Sequence, residues 1–267
     1  MGTPEFAVPS LEALRGAGYE VVAAVTQPDR PVGRKGTLTP PPVKVCAQAH
    51  GVPVLQFERI RRPEGRQALS ALAPDLFVTA AFGQILSQKV LDIPRLGTIN
   101  VHASLLPAYR GSAPINWCLL RGEARTGVTT MMTDAGIDTG DMLLREETDI
   151  LPEETAEELS ARLSKIGAET LLRTLRALEA GTLVRTPQDE SAASYYPMLD
   201  KELGRMDFSR PARELHNQVR GLYPWPGAFA ETPSRVLKIW SARAHEEDSG
   251  LAPGTVARAD AKGGLFV

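Results

Sequence analysis

Short apolar runs that alternate with helical segments predict an α/β protein built on a mostly parallel, doubly wound sheet. Three observations carry that expectation. Strand-like runs rich in Val, Ile and Ala recur at residues 19–26, 52–56, 75–80 and 98–102, and a helical segment separates each from the next. The last of these runs ends in polar residues and turns into a helix, which is where open α/β sheets place their ligands. With 43% apolar and 23% charged residues, the 267-residue chain can fill one large domain, or one medium and one small, with ordinary core.

The elements follow in order. A helix is expected over residues 4–15, closed near Gly16 and Gly18, and then a strand over 19–26. Residues 27–42 hold five prolines and two glycines, so no regular element is expected there. Connections of this length are usually functional or disordered. Residues 43–50 read as a helix with Gly51 just past its end. Strand 52–56, helix 63–72, buried strand 75–80 and a helical turn at 87–91 come next. Residues 98–102 form the central strand, and a helix opens at Ala113-Pro114 and runs to 121. Strands are expected at 126–133 and 142–150, joined by a Gly- and Asp-rich turn at 134–141.

The longest helix is expected over 153–180. Leu159, Leu163, Ile166 and Leu175 make its apolar stripe, Glu158/Arg162 and Glu169/Arg173 support it at i,i+4, and Gly181 ends it. Periodicity then fades, and residues 184–202 read as a linker between a domain at 1–183 and one at 203–267. The second domain has a helix at 211–221 and short strand-like pieces at 228–231, 236–241 and 254–257.

Charge and cysteine usage narrow the function. A net charge of −2 gives no global field for nucleic acid, so any RNA contact needs a local patch. Cys46 and Cys118 form no C-x-x-C pair, so zinc and redox motifs are absent and a reducing cytoplasm is expected. No apolar run reaches membrane-spanning length, and no signal peptide is visible.

The chemistry concentrates in residues 98–116, TINVHASLLPAYRGSAPIN. Asn100 and His102 are two apart on a strand and so share a face. One is an amide donor that does not ionise, and the other exchanges a proton near neutral pH. Asp138 sits in the turn Gly136-Ile137-Asp138-Thr139-Gly140-Asp141. An Asp in such a turn more often caps the turn than catalyses, and Asp134 and Asp141 serve as internal controls.

Asn-x-His followed by Ser-Leu-Leu-Pro, the later Gly-x-Asp-x-Gly-Asp turn, Gly-Thr-Pro-Glu-Phe at Gly2, Thr-Gln-Pro-Asp-Arg-Pro at Thr26 and Trp-Pro at Trp225 together resemble the folate-dependent formyltransferases. The resemblance covers nearly the whole chain. It implies a Rossmann-like catalytic domain followed by a C-terminal OB-type β-barrel. It makes Asn100, His102 and Asp138 the catalytic set. The first two would donate to the developing oxyanion, and Asp138 would hold His102 protonated or accept the amine proton through water. It places 10-formyltetrahydrofolate, as formyl donor, against Ser104, Leu105, Leu106 and Pro107. Phe82, Gly83, Ile85 and Leu86 are expected as walls of the same slot, each with core packing as an equal alternative. No metal is expected. The family's Gly-Thr-Pro follows a first sheet strand, so residues are expected to be missing at both ends, with Met1 internal to a longer chain.

The resemblance is strongest to the members whose acceptor is initiator methionyl-tRNA. It puts the basic residues Arg30, Arg34 and Lys35 of the 27–42 loop at the tRNA acceptor stem. A monomer is expected, though the sequence itself leaves the oligomeric state open. Residues 201–240 hold seven Lys or Arg against four acids, a mild excess available for phosphates. Two other readings compete. One is the same chemistry on a small amine such as an amino sugar nucleotide, which the basic loop disfavours. The other is a non-catalytic RNA-binding protein, which would have no use for Asp138.

Overall fold

The computed structural model describes residues 1–33, 35–247, 249–261 and 263–267. In chain order, α1 is Val8–Gly16, β1 Ala24–Thr26, β2 Arg30–Val32, β3 Thr37–Thr39, α2 Pro42–Ala49, β4 Val54–Gln56, α3 Pro63–Ala71 and β5 Phe77–Thr79. Next come α4 Gln88–Leu91, β6 Thr98–His102, β7 Arg110–Gly111, α5 Pro114–Leu120, β8 Arg125–Met132, β9 Met142–Asp149 and α6 Ala156–Glu179. The chain continues through β10 Tyr195–Tyr196, α7 Ala212–Gly221, β11 Ala228–Glu231, β12 Val236–Ile239, β13 Arg258–Asp260 and β14 Gly264–Phe266. No described helix is long and apolar enough to cross a membrane.

Two compact units result, one of residues 1–111, 125–149 and 160–196, the other of 112–124, 150–159 and 197–267. In the first, β1 pairs parallel with β4, and β5 pairs parallel with β6. Gly2 connects the two pairs: it bridges Ala80 in parallel, and its N–H donates to Val25 O at 3.0 Å. The expected α/β fold with a parallel sheet core is present. The far edge departs from it, because β8 runs antiparallel to β6 and β9 antiparallel to β8. The short turn after β8 dictates the second reversal, since a parallel return needs a long crossover.

Side-chain size sets how closely α6 lies on this sheet. A Cβ at Gly167, in mid-helix, would come 2.8 Å from Val101 Cγ1 of the central strand. Glycine costs helix stability there, and the close approach is what it permits. The Thr130 and Thr174 hydroxyls, both buried, satisfy each other at 2.7 Å between the same helix and sheet. The helix begins three residues later than expected because Thr155 and Glu158 form a capping box. Thr155 N donates to Glu158 Oε2 at 2.9 Å, and Glu158 N donates to Thr155 Oγ1 at 3.3 Å.

The 27–42 segment corrects the expectation of no regular element. β2 and β3 form an antiparallel hairpin that pairs Arg30 with Thr39 and Val32 with Thr37. Gly33 and Gly36 take positive φ at its turn, which supplies the reversal that the prolines cannot.

In the second unit α5 packs on α7, and Asn116 Nδ2 donates to Gly221 O at 2.7 Å. The strands pair as two separate antiparallel hairpins, β11–β12 and β13–β14. Among the described residues they close no barrel. Arg205 bridges Phe229 in parallel on the outer edge of β11, and among the described residues no third strand joins either hairpin, so period-two patterning located the strands without determining closure.

Candidate active site

Asn100 and His102 sit at the end of β6, on one face of the strand as their spacing requires. The neighbouring parallel strand fixes the amide. Thr79, directly opposite Asn100 in the register, donates its hydroxyl to Asn100 Oδ1 at 2.9 Å. With its oxygen occupied, the amide presents Nδ2, which has no protein partner among the described residues. A half-buried N–H donor of fixed direction is thus available at the carboxyl end of the parallel strands.

His102 is buried, and both ring nitrogens face protein groups. Nε2 lies 3.0 Å from Tyr109 O, a carbonyl that can only accept, so Nε2 carries a proton. Nδ1 lies 3.6 Å from Asp138 Oδ2, an ion-pair separation longer than a hydrogen bond. The same carboxylate oxygen accepts the Gly111 N–H at 2.9 Å. Imidazole and carboxylate form a unit that can hold one further proton, beside a neutral donor that cannot.

The turn that carries Asp138 separates the structural aspartate from the chemical one. Asp134 Oδ1 accepts from Gly136 N at 3.1 Å and Thr139 Oγ1 at 2.8 Å, an Asx-type turn. Asp138, at φ +53°, directs its side chain to His102 and Gly111 instead. A Cβ at Gly140 would lie 1.9 Å from Met132 O, so the turn can fold back this tightly only with glycine there.

Residues 186–196, expected as linker, are instead strapped to the site. Gln188 Nε2 donates to Asp138 O at 2.8 Å and to Gly140 O at 2.7 Å. Its Oε1 accepts from Arg110 Nε at 2.9 Å. The fully buried Arg110 guanidinium also makes a two-pronged pair with Glu190, at 2.7 and 3.0 Å, and reaches the Tyr195 hydroxyl. That pairing raises the pKa of Arg110 and lowers that of Glu190. Tyr109, at φ +61°, is held by Ser194 Oγ at 2.9 Å on its N–H and by a Tyr196 ring stacked at 5.0 Å. Thus the carbonyl on one side of His102 and the carboxylate on the other are both positioned by the strap. Thr79, Arg110, Gln188, Glu190 and Ser194 were not anticipated. The only sequence signal was a cluster of hydrogen-bonding residues where periodicity fails.

The expected donor-slot residues divide. Phe82 and Leu86 belong to the apolar core with Val25, Ile60 and Leu69. Leu106 is fully buried, and its N–H donates to Thr129 Oγ1 at 3.1 Å, so it has none to offer a ligand. Ser104 is buried and bonds Ala108 O at 2.7 Å. Gly83 and Ile85 are exposed, and Leu105 and Pro107 half-buried. Gly83 leaves the sheet at the same end as Asn100, and its carbonyl accepts from Gln27 Nε2 at 2.8 Å, at the root of the basic hairpin. A cleft of about 860 Å³, lined by Leu11, Leu14, Val21, Phe77 and Leu175, holds none of the catalytic candidates.

On the hairpin, Arg30 pairs with Glu58 at 2.6 Å, both exposed, and Lys35 is exposed. Asp29 is engaged by Lys44 at 2.8 Å and Gln56 at 2.9 Å, which lowers its pKa. Arg34 lies outside the described residues. In the second unit Arg205 pairs with Glu202 and Glu231, Arg210 with Glu214, and Arg220 is buried against the Leu151 and Glu154 carbonyls. Lys201, Arg213 and Arg235 are exposed, and Lys238 lies over the Trp240 ring.

The chain as a whole matches known sequences. A family model described as formyl transferase matches residues 1–175, and one described as formyl transferase, C-terminal domain, matches 198–267. The chain is 52% identical over 263 residues to a methionyl-tRNA formyltransferase of Geotalea uraniireducens, covering 98% of this chain and 83% of the relative. It is 50% identical over 265 residues to the protein of that name from Ruminiclostridium cellulolyticum, covering 98% and 85%. Among solved structures, a 4-N formyltransferase from Francisella tularensis superposes with a TM-score of 0.69 at 16% identity, covering 90% of this chain and 94% of that one. An N-formyltransferase from Helicobacter canadensis in complex with folinic acid and dTDP-3-aminofucose gives 0.65 at 19% identity, covering 87% and 82%.

Proposed function

The chain belongs to the formyl transferase family, and on that premise we propose that it moves the formyl group of 10-formyltetrahydrofolate to the α-amine of initiator methionyl-tRNA, preparing it for translation initiation. The observation that carries this acceptor is half identity, over nearly the whole chain, to proteins of that name. The amine nitrogen attacks the formyl carbon, the carbon–N10 bond breaks, and tetrahydrofolate leaves with a proton on N10. Asn100 Nδ2 donates to the formyl oxygen as negative charge develops there, the moment at which a fixed donor counts most. The amine proton passes to the His102–Asp138 unit. That both His102 nitrogens face protein groups supports a relay role for it in this reading, where the resemblance implied an oxyanion donor.

In this reading the donor lies along the exposed Gly83–Ile85 segment and the half-buried Leu105 and Pro107, at the carboxyl end of the parallel strands. The 27–42 segment, whose basic residues in sequence are Arg30, Arg34 and Lys35, meets the acceptor stem. The β11–β12 and β13–β14 hairpins belong to an OB-type barrel domain. The enzyme works as a cytoplasmic monomer. The alternative acceptor, an amino sugar nucleotide, draws on structures under 20% identical, which share the fold. Incubation with labelled 10-formyltetrahydrofolate and charged initiator tRNA tests the proposal: the label should appear on the methionyl amine, and no transfer would refute it.

A further inference from the structure

A second cluster of reactive side chains lies away from the catalytic set, where α1 and α2 pack together. Cys46 and His50 are four apart, so they project from one face of α2 a turn apart, with His50 at the helix's C-terminal cap. Glu12 projects from α1 toward them. The Glu12 carboxylate, Cys46 Sγ and a His50 ring nitrogen all lie within 4.8 Å of one another. Among the described residues, none of the three side chains is engaged in a hydrogen bond or ion pair. Their donors are free, and Glu12 and His50 are exposed, which leaves an open approach from solvent.

We propose that Glu12, Cys46 and His50 form a zinc(II) site that ties α1 to α2. Ligands of a tetrahedral zinc lie about 2.0–2.3 Å from the ion and so about 3.5 Å apart, close to the spacing of at most 4.8 Å that these three donors already have. One thiolate, one imidazole and one carboxylate suit zinc rather than calcium or magnesium, which take oxygen ligands. The fourth position is left to water. Without the ion, burial and the Glu12 charge push the Cys46 thiol up, with Arg15 opposing and Glu5 reinforcing. A divalent cation reverses that balance: the thiol gives its proton to solvent as the sulfur–zinc bond forms. The C-x-x-x-H spacing is too common to signal a site, since the third ligand arrives only through tertiary packing.

The test uses full-length protein freed of metal by chelator dialysis and titrated with zinc in competition with a chromophoric chelator. One zinc per chain should bind, and cobalt(II) in its place should give a thiolate charge-transfer absorbance. Cys46→Ala and His50→Gln should each weaken zinc binding about 100-fold or more, since even outer partners of a metal site cost about 10–100-fold. Zinc should raise the melting temperature of the wild type and leave both variants unmoved, while the metal-free variants melt like the metal-free wild type. Absence of stoichiometric uptake would overturn the proposal. So would uptake by both variants equal to wild type, or a cobalt complex without the thiolate band.

Discussion

His102 Nδ1 faces Asp138 Oδ2 at 3.6 Å, while the opposite ring nitrogen is held 3.0 Å from Tyr109 O. A residue on the central strand and one in a turn 36 positions later in the chain thereby face each other at ion-pair distance. Asp138→Asn keeps the shape and the Gly111 bond but removes the charge. Its kcat should fall at least about 10²-fold, the lower range for a general acid–base group, with folate binding retained. Asp134→Asn, in the same turn, should be mild because an amide oxygen still accepts from Gly136 and Thr139. Steady-state kinetics on the two variants, with folate affinity measured by fluorescence, separates the roles. Equal losses would mean that the turn acts only structurally.

Asn100→Ala should lower kcat about 10²–10³-fold with little change in KM, because its Nδ2 hydrogen bond matters most when the oxyanion forms. Thr79→Val should give a smaller loss of the same kind, by freeing the amide to rotate. A KM effect without a kcat effect would remove Asn100 from the oxyanion role.

How far the sequence led is clearest at these residues. The spacing of Asn100 and His102, the strand that carries them and the turn around Asp138 were all legible, because period-two geometry and Gly-rich turns are local. So were the helices, down to the apolar stripe of α6. What was not legible depended on distant partners. Phe82 and Leu86 proved to be core, since an apolar residue after a strand reads alike as wall or filler. The antiparallel edge and the β2–β3 hairpin depend on pairing partners that no window contains. The strap at 186–196 read as linker because its bonds reach about 80 positions back, from Glu190 and Ser194 to Arg110 and Tyr109.

That strap should be felt in catalysis. Gln188→Ala removes both donors to the Asp138 and Gly140 carbonyls and should lower kcat by about 10–10²-fold, in the range that small misplacements cause. Folate affinity should change little, while stability should fall somewhat because the buried Arg110 Nε loses its acceptor. A variant that lost stability and kept kcat would make the strap a matter of folding alone.

Glu190 makes the strap sensitive to acid. Arg110 holds its carboxyl below the usual glutamate range, so its contribution is complete above the unfolded value of about 4.3 and is lost as pH falls through the lower folded value. The melting temperature of the wild type should exceed that of Glu190→Gln at neutral pH, and the gap should close in acid. A gap independent of pH would contradict the pairing.

For the acceptor, Arg34→Ala and Lys35→Ala should weaken formylation at limiting tRNA and leave folate affinity unchanged. Replacing the exposed Lys201, Arg213 and Arg235 together should make tRNA affinity less dependent on salt, by about one unit of slope for each phosphate no longer neutralised. Arg205→Ala, already paired with Glu202 and Glu231, should leave that slope unchanged. An unaltered slope in the triple variant would exclude this surface from tRNA binding.

Acceptor and chemistry are tested together by kcat/KM for two acceptors on one preparation. Charged initiator tRNA and an amino sugar nucleotide are each offered with 10-formyltetrahydrofolate, with Asp138→Asn as the site control. The account predicts efficient transfer to the tRNA, negligible transfer to the sugar, and loss of tRNA formylation in the variant. Preferential transfer to the sugar nucleotide, or tRNA formylation undiminished in Asp138→Asn, would contradict it.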